Sequence, residues 1–151
     1  MEVRLADESE ISTLTRQSKE AFDSDVEVGA DEAGGPPDYD CEQWHREMQK
    51  SRNLYSIIAN GELVGGMLLF EDSFDPRVVY VGRIFIGKEF LRKGYGREAM
   101  LYAERLFPNA VFFKLETPVW NIRTNTFYPS LGYTEMKRDE ESVYYQKQLN
   151  K

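Results

Sequence analysis

The segment GKEFLRKGYGREAM, residues 87–100, constrains the fold of this chain more than any other. It places a basic pair, Arg92 and Lys93, directly before two glycines one residue apart, Gly94 and Gly96, and a helix-like run follows. Glycines let backbone N–H groups approach an anion closely, and the first turn of a helix carries partial positive charge. The segment therefore predicts a phosphate-binding loop that opens a helix.

Hydrophobic periodicity and turn signals divide the rest of the chain into short strands and helices. Asn60-Gly61 predicts a hairpin over 54–72, and Pro108 ends the amphipathic helix that follows the glycines. The other predicted elements are a strand at 1–6, helices at 7–22 and 41–51, strands at 77–87 and 110–120, a helix at 123–130 and a hairpin at 133–149. This order indicates one α+β domain, residues 1–151, with a mixed sheet that is largely antiparallel at first.

Composition and net charge limit the classes of partner that we expect this protein to bind. The net charge of −7 disfavours nucleic acid and anionic lipid. No apolar run approaches the length of a membrane span, and the acidic start MEVRLADESE differs from a signal peptide. Cys41 is the only cysteine, which excludes an intrachain disulfide and fits a reducing cytosol. We expect a cytoplasmic protein without metal, membrane or nucleic-acid partners, and the sequence leaves a homodimer open.

Two familiar phosphate motifs fit the glycine segment poorly. A P-loop requires Lys and Ser or Thr after its second glycine, whereas Lys93 precedes both glycines here. The dinucleotide fingerprint G-x-G-x-x-A matches Gly94, Gly96 and Ala99, with Glu116 near the position of the ribose-binding acid. However, KEFLRK separates the strand from the first glycine, and too few residues follow Glu116 to complete a doubly wound sheet. An NAD(P)-binding protein is therefore the weaker alternative.

The segment IFIGKEFLRKGYG resembles motif A of the GNAT superfamily of N-acetyltransferases. In that motif a hydrophobic strand and a short loop lead to [QR]-x-x-G-x-[GA], which opens a helix. Gly94 and Gly96 fall on the two glycine positions, and Leu91 stands where the family usually has Gln or Arg. The loop itself is unaffected by that departure, because backbone amides do most of the anion binding.

A second segment, NIRTNTFYPSLGY at 121–133, looks like GNAT motif B. Its matching positions are Asn121, Tyr128, Gly132 and Tyr133, and Thr124 replaces the usual small residue. One helix and one strand fit between the two motifs, as the family requires. The resemblance implies a three-layer α+β fold, in which a central twisted mixed sheet of about six to seven strands is flanked by about four helices.

The resemblance also implies acetyl-CoA as co-substrate, held between the strand before the glycine loop and the strand after the helix. The pantetheine arm would bond to the backbone of Ile84, Phe85 and Ile86, with Asn121 and Tyr128 on the other side. The residues implied to bind the coenzyme phosphates are Leu91, Arg92, Lys93, Gly94, Tyr95, Gly96 and Arg97.

Tyr128 is implied to be the general acid. A phenol with a pKa of about 10 stays protonated at neutral pH and can donate to a thiolate whose acid has a pKa of about 8.5. A base must also deprotonate the amine, and Glu116 is the first candidate, ahead of Glu71 and Asp72. We expect His45, the only histidine, to be an exposed bystander.

The acceptor is expected to be a primary amine on a small molecule or peptide. The loop DSDVEVGADEAGGPPDYD, residues 23–40, falls where this fold builds its acceptor wall and is rich in carboxylates. Such a wall would attract a cationic acceptor, although a solvated loop is an equally good interpretation. The expected function is acetyl-CoA-dependent N-acetylation by direct transfer in a ternary complex, and the alternative is a non-catalytic acyl-CoA sensing domain.

Overall fold

The computed structural model describes residues 1–149. Its seven strands form one sheet in the order β1-β2-β3-β4-β5-β7-β6. The strands are β1 Glu2–Leu5, β2 Leu54–Ala59, β3 Glu62–Glu71, β4 Val78–Ile86, β5 Phe112–Pro118, β6 Thr134–Arg138 and β7 Ser142–Gln148. The α-helices are α1 Ile11–Asp23, α2 Glu42–Lys50, α3 Tyr95–Ala103 and α4 Ile122–Ser130. The predicted fold class, a mixed sheet flanked by four helices, is confirmed.

Apolar side chains cover both faces of the sheet. Met100 of α3 and Tyr128 of α4 belong to the larger core, which also contains Phe113 of β5. A smaller core on the opposite face joins Leu14 of α1 to Phe85 of β4, with side chains of α2 packed against it. The sheet therefore lies between two helical layers and holds the ends of its strands in fixed positions. No helix within residues 1–149 is both long enough and apolar enough to cross a bilayer.

Two predicted helix boundaries differ from the structure. The helix after the glycines was expected to run to Phe107 but ends at Ala103, after which the chain continues in tighter turns. The N–H of Leu106, for example, bonds to the carbonyl of Ala103 three residues back. At the other helix, Asp7 caps a short 3-10 turn, Glu8–Glu10, and α1 begins only after it. Both differences arise at helix ends, where the first or last turn adopts the tighter 3-10 hydrogen-bonding pattern.

The strands β4 and β5 run parallel, whereas every other pair of neighbouring strands described in residues 1–149 is antiparallel. These strands pair only at their first residues, through Val78 with Phe112, Val79 with Phe113 and Tyr80 with Lys114. Beyond Tyr80, β4 stays paired to β3, and β5 stays paired to β7. Gly82 is an extra residue in β4 relative to β3, and such a bulge bends a strand. The two strands therefore separate toward their C-terminal ends and leave a wedge between them.

Candidate active site

The wedge between β4 and β5 opens into a cleft of about 1140 Å³. Clefts that bind small molecules typically measure about 300–1,000 Å³, so this one can hold a large ligand. Its wall contains all the residues implied to bind the coenzyme, together with the predicted acid Tyr128 and the first candidate base Glu116: Ile84, Phe85, Ile86, Leu91, Arg92, Lys93, Gly94, Tyr95, Gly96, Arg97, Glu116, Asn121 and Tyr128. Their individual roles stay predictions, but the fold brings them to one place.

The glycine loop leaves its amides free at the start of α3. Gly94 is the residue before the helix and has a φ of 79°, a left-handed conformation that favours glycine. The first helical hydrogen bond runs from the N–H of Glu98 to the carbonyl of Gly94, so the preceding amides have no helical acceptor. Within residues 1–149 no side chain caps them. These amides point free N–H groups from the positive end of α3, an arrangement that suits an anion.

Space around the glycines fits a ligand at this loop. A Cβ placed on Gly94 would meet no atom within 4 Å, and one on Gly96 would lie 3.7 Å from Cζ of Phe127, an ordinary contact. Packing within the protein therefore does not require glycine at position 96. The open space above the helix start suits a pyrophosphate group, whose oxygens need close backbone approach.

Basic side chains surround the same loop. Arg92, Lys93 and Arg97 are all exposed in the cleft wall. Within residues 1–149 none of them forms a salt bridge, so their charge is available to an incoming phosphate. The protein as a whole is acidic, which makes this local cluster the natural location for an anionic group.

The backbone of β4 supplies the next part of the cleft. Among residues 1–149, nothing pairs with Val81 to Ile86 on the β5 side of the strand. Ile84 and Ile86 are half-buried there, whereas the side chain of Phe85 lies in the smaller core on the opposite face. The unpaired edge can hydrogen-bond to an extended ligand as an added strand would.

Asn121 and Tyr128 face this edge from α4. Asn121 is 4% exposed, and its Oδ1 accepts a hydrogen bond from the N–H of Thr124 at 3.0 Å, which caps the helix. Tyr128 is 7% exposed and packs against the rings of Phe127, Tyr133 and Tyr145. Burial, and to a lesser degree the charge of Asp25, raises the pKa of the Tyr128 phenol above its ordinary value. Tyr128 is therefore protonated at neutral pH and fixed in position.

The glycine loop and the buried Tyr128 both lie within a segment that matches a family model. The family model "Acetyltransferase (GNAT) family" covers residues 16–133. The chain belongs to the GNAT acetyltransferase family. The predicted resemblance is confirmed, and the glycine loop and the open strand edge fit acetyl-CoA as the acetyl donor.

Solved structures of similar fold include the PaiA N-acetyltransferase from Thermoplasma acidophilum in complex with coenzyme A. It is 17% identical over 98% of each chain, with a TM-score of 0.75. A GNAT-family acetyltransferase from Streptococcus agalactiae is 18% identical over 99% of this chain and 96% of its own, with a TM-score of 0.85. A chain in the NatC complex bound to Gag peptide and coenzyme A is 16% identical over 99% and 100%, with a TM-score of 0.68. No curated protein matches the chain.

The candidate bases of this GNAT domain occupy different places. Glu116, on β5, lies exposed in the cleft wall beside Tyr144. Glu71 lines a separate pocket of about 510 Å³ together with Arg52. Asp72 accepts hydrogen bonds from the N–H groups of Phe74 and Asp75 and thereby holds a turn. Of the three carboxylates proposed from the sequence, only Glu116 lines the cleft.

The expectation that His45 is an exposed bystander is wrong. Its side chain is 0% exposed, its Nδ1 lies 2.8 Å from the carbonyl oxygen of Cys41, and its ring packs edge-on against Trp44 and Phe85. Burial lowers the pKa of His45 below its ordinary value, which favours the neutral ring. The polar sequence of α2 conceals that this one position faces the sheet. His45 is a core residue of the α1–α2 layer.

The sequence predicts one acidic wall from residues 23–40, but the structure places the carboxylates of this loop in different surroundings. Asp25, Glu27 and Glu32 line the cleft, whereas Asp23 pairs with Lys19 and accepts a hydrogen bond from the hydroxyl of Tyr39. Asp25 lies in a 3-10 helix, Ser24–Val28. Within the loop, no feature of the sequence distinguishes Asp25 from its acidic neighbours.

Proposed function

We propose that the protein transfers the acetyl group of acetyl-CoA to a primary amine while both substrates are bound in the cleft. The observation that carries this proposal is the continuity of the cleft. It runs from the glycine loop at the start of α3, along the open edge of β4, to Tyr128 and the loop carboxylates Asp25, Glu27 and Glu32. A donor bound at one end and an amine bound at the other would meet at Tyr128.

Each part of the wall has a task in this proposal. The free amides of the glycine loop and the basic side chains beside it bind the phosphates of the donor. The open edge of β4 aligns the pantetheine arm as an added strand. Holding both reactants in one orientation converts a bimolecular reaction into an effectively intramolecular one.

The chemistry requires proton transfers at two places. A C–N bond forms, the thioester C–S bond breaks, and the departing sulfur takes the proton of the Tyr128 hydroxyl. The nitrogen enters as an ammonium and gives up two protons, one before attack to a base and one afterwards that restores Tyr128. Burial keeps the phenol protonated until the sulfur departs, because it raises the pKa of Tyr128.

We further propose that the acceptor carries positive charge beyond its reacting amine. Asp25, Glu27 and Glu32 supply negative charge along one wall of the cleft, and Glu116 adds to it from β5. Oppositely charged walls concentrate a charged substrate near the reacting atoms. Suitable acceptors to test are polyamines, aminoglycosides, lysine-containing peptides and peptides with a free N-terminal amine.

The experiment combines thermal shift with a free-thiol assay over that amine panel. We expect acetyl-CoA to raise the melting temperature and thiol release to depend on an added amine. Stabilisation by acetyl-CoA without turnover on any amine would favour a sensing domain instead. Stabilisation by NAD(P) and not by acetyl-CoA would reject the donor assignment altogether.

A further inference from the structure

One carboxylate of the cleft differs from the others in its surroundings. Glu27, Glu32 and Glu116 are exposed, whereas Asp25 is half-buried in the same wall. Burial raises the pKa of Asp25 above its ordinary value, and the positive charge of Arg123 and the side chain of Asn121 act in the opposite direction. A carboxylate removed from water accepts a proton more readily than an exposed one.

The fold holds Asp25 in place. Its carbonyl accepts hydrogen bonds from the N–H groups of Gly29 and Ala30, which close the 3-10 turn. Gly29 then packs directly on the backbone of Trp120, the residue before the cap of α4, because an added Cβ would come within 2.3 Å of the Trp120 oxygen. The segment that carries Asp25 is thus docked on the start of α4.

This docking places Asp25 beside the reacting position. Asn121, at the start of α4, is its hydrogen-bonding neighbour, and the charge of Asp25 acts on the hydroxyl of Tyr128 in the second turn of the same helix. Arg123 lies on α4 as well but forms no salt bridge with Asp25. Within residues 1–149 Asp25 therefore forms no direct ion pair, and Arg123 acts on its charge from beyond ion-pair distance.

We propose that Asp25 binds the ammonium group of the acceptor and accepts its proton before attack. The inference rests on the proposed function and assigns its base. The ammonium N–H bond breaks, the proton moves to a carboxylate oxygen of Asp25, and the lone pair left on nitrogen becomes the nucleophile. The proton afterwards leaves to solvent through the open cleft. Asp25 and Tyr128, neighbours across the reacting atoms, then serve as base and acid.

The test compares Asp25→Asn with Asp31→Asn, a matched control. Asp31 is an exposed acid of the same loop that does not line the cleft. At pH 7 we expect Asp25→Asn to lower kcat/KM for the amine by about 10²- to 10⁴-fold, the usual contribution of a general base. Affinity for acetyl-CoA should stay within about threefold, and Asp31→Asn should retain wild-type turnover.

The pH profile separates a base from a merely electrostatic residue. Without Asp25 only the free amine reacts, so the rate of Asp25→Asn should rise with pH and approach wild type near the amine pKa of about 10.4. In the wild type, kcat/KM should fall on the acid side as Asp25 becomes protonated, at a pH above the ordinary range of aspartate. Of the charged and titratable groups, Arg123 acts on Asp25 and Asp25 acts on Tyr128, while Glu27 and Glu116 line the same cleft.

Three results would overturn the assignment: wild-type turnover in Asp25→Asn, a loss that high pH does not restore, or a loss of acetyl-CoA affinity, which would indicate a structural role. If Asp25→Asn does not fold, the same measurements are made on Asp25→Ser and on the wild type. A wild-type kcat/KM that does not fall at acid pH would show that Asp25 is not the base. The proposed function fails separately, when the wild type itself acetylates no amine.

Discussion

The proposed role of Tyr128 as general acid depends on a single atom, its hydroxyl oxygen. Three aromatic rings hold its own ring, so Tyr128→Phe keeps the packing and removes only the hydroxyl. We expect kcat to fall by about 10²- to 10⁴-fold, with acetyl-CoA affinity within a few-fold and little change in melting temperature. Steady-state and single-turnover kinetics together check this. A variant that acetylates as fast as wild type in a single turnover would make Tyr128 a core aromatic only.

Gly96 provides the corresponding test at the phosphate end. Its added Cβ would meet the protein only at an ordinary 3.7 Å contact, so Gly96→Ala should fold with a nearly unchanged melting temperature. The methyl group would nevertheless occupy the space that a pyrophosphate needs, and we expect the KM for acetyl-CoA to rise by about tenfold or more. Isothermal titration with coenzyme A measures the effect directly. Unchanged affinity in the folded variant would move the phosphate site elsewhere.

Among the elements, the loop before α2 supplies residues to the side of the cleft where we propose that the acceptor binds. Gly29 has a φ of 125°, and its Cβ would collide with the carbonyl oxygen of Trp120. Gly29→Ala should therefore lift the 3-10 turn from α4 and reduce kcat/KM for the amine by about tenfold, while the donor site at α3 is spared. Gly61→Ala is the matched control, because Gly61 also has a positive φ, at 76°, but lies at a hairpin tip with open space around it. Equal losses in both variants would attribute the effect to backbone strain.

The elements also show where sequence reasoning reaches its limit. The hairpin at Asn60-Gly61, the helix after Gly94 and the two motifs could be predicted because each depends on neighbouring residues. The separation of β4 from β5 could not, because it depends on the bulge at Gly82 and on pairing partners distant in sequence. The prediction that His45 is exposed was wrong for the same reason, because the packing of α2 on the sheet decides which side this residue faces.

For the molecule as a whole, the two motifs are parts of one cleft. Motif A supplies the proposed anion site and the open edge of β4, and motif B supplies Asn121 and Tyr128 from the opposite side. Asp25 comes from neither motif and lines the cleft in a loop that packs on Trp120 through Gly29. The donor side could therefore be predicted from local sequence, whereas the acceptor side depends on a long-range contact. A fold shared among relatives of low identity can keep the first and vary the second.

The wedge between β4 and β5 leads to the last prediction, which concerns hydrogen exchange along the open edge of β4. A pantetheine arm bonded along β4 would cover amides that otherwise face solvent, so coenzyme A should slow hydrogen exchange in 81–86 as well as at the glycine loop, 94–97. The hairpin at 54–72 contains no residue of the cleft wall and serves as the internal control. Hydrogen-exchange mass spectrometry with and without coenzyme A measures both regions in one sample. Protection at 94–97 alone would mean that the phosphates bind but the arm does not add to β4, and the alignment of the thioester with Tyr128 would then need another explanation.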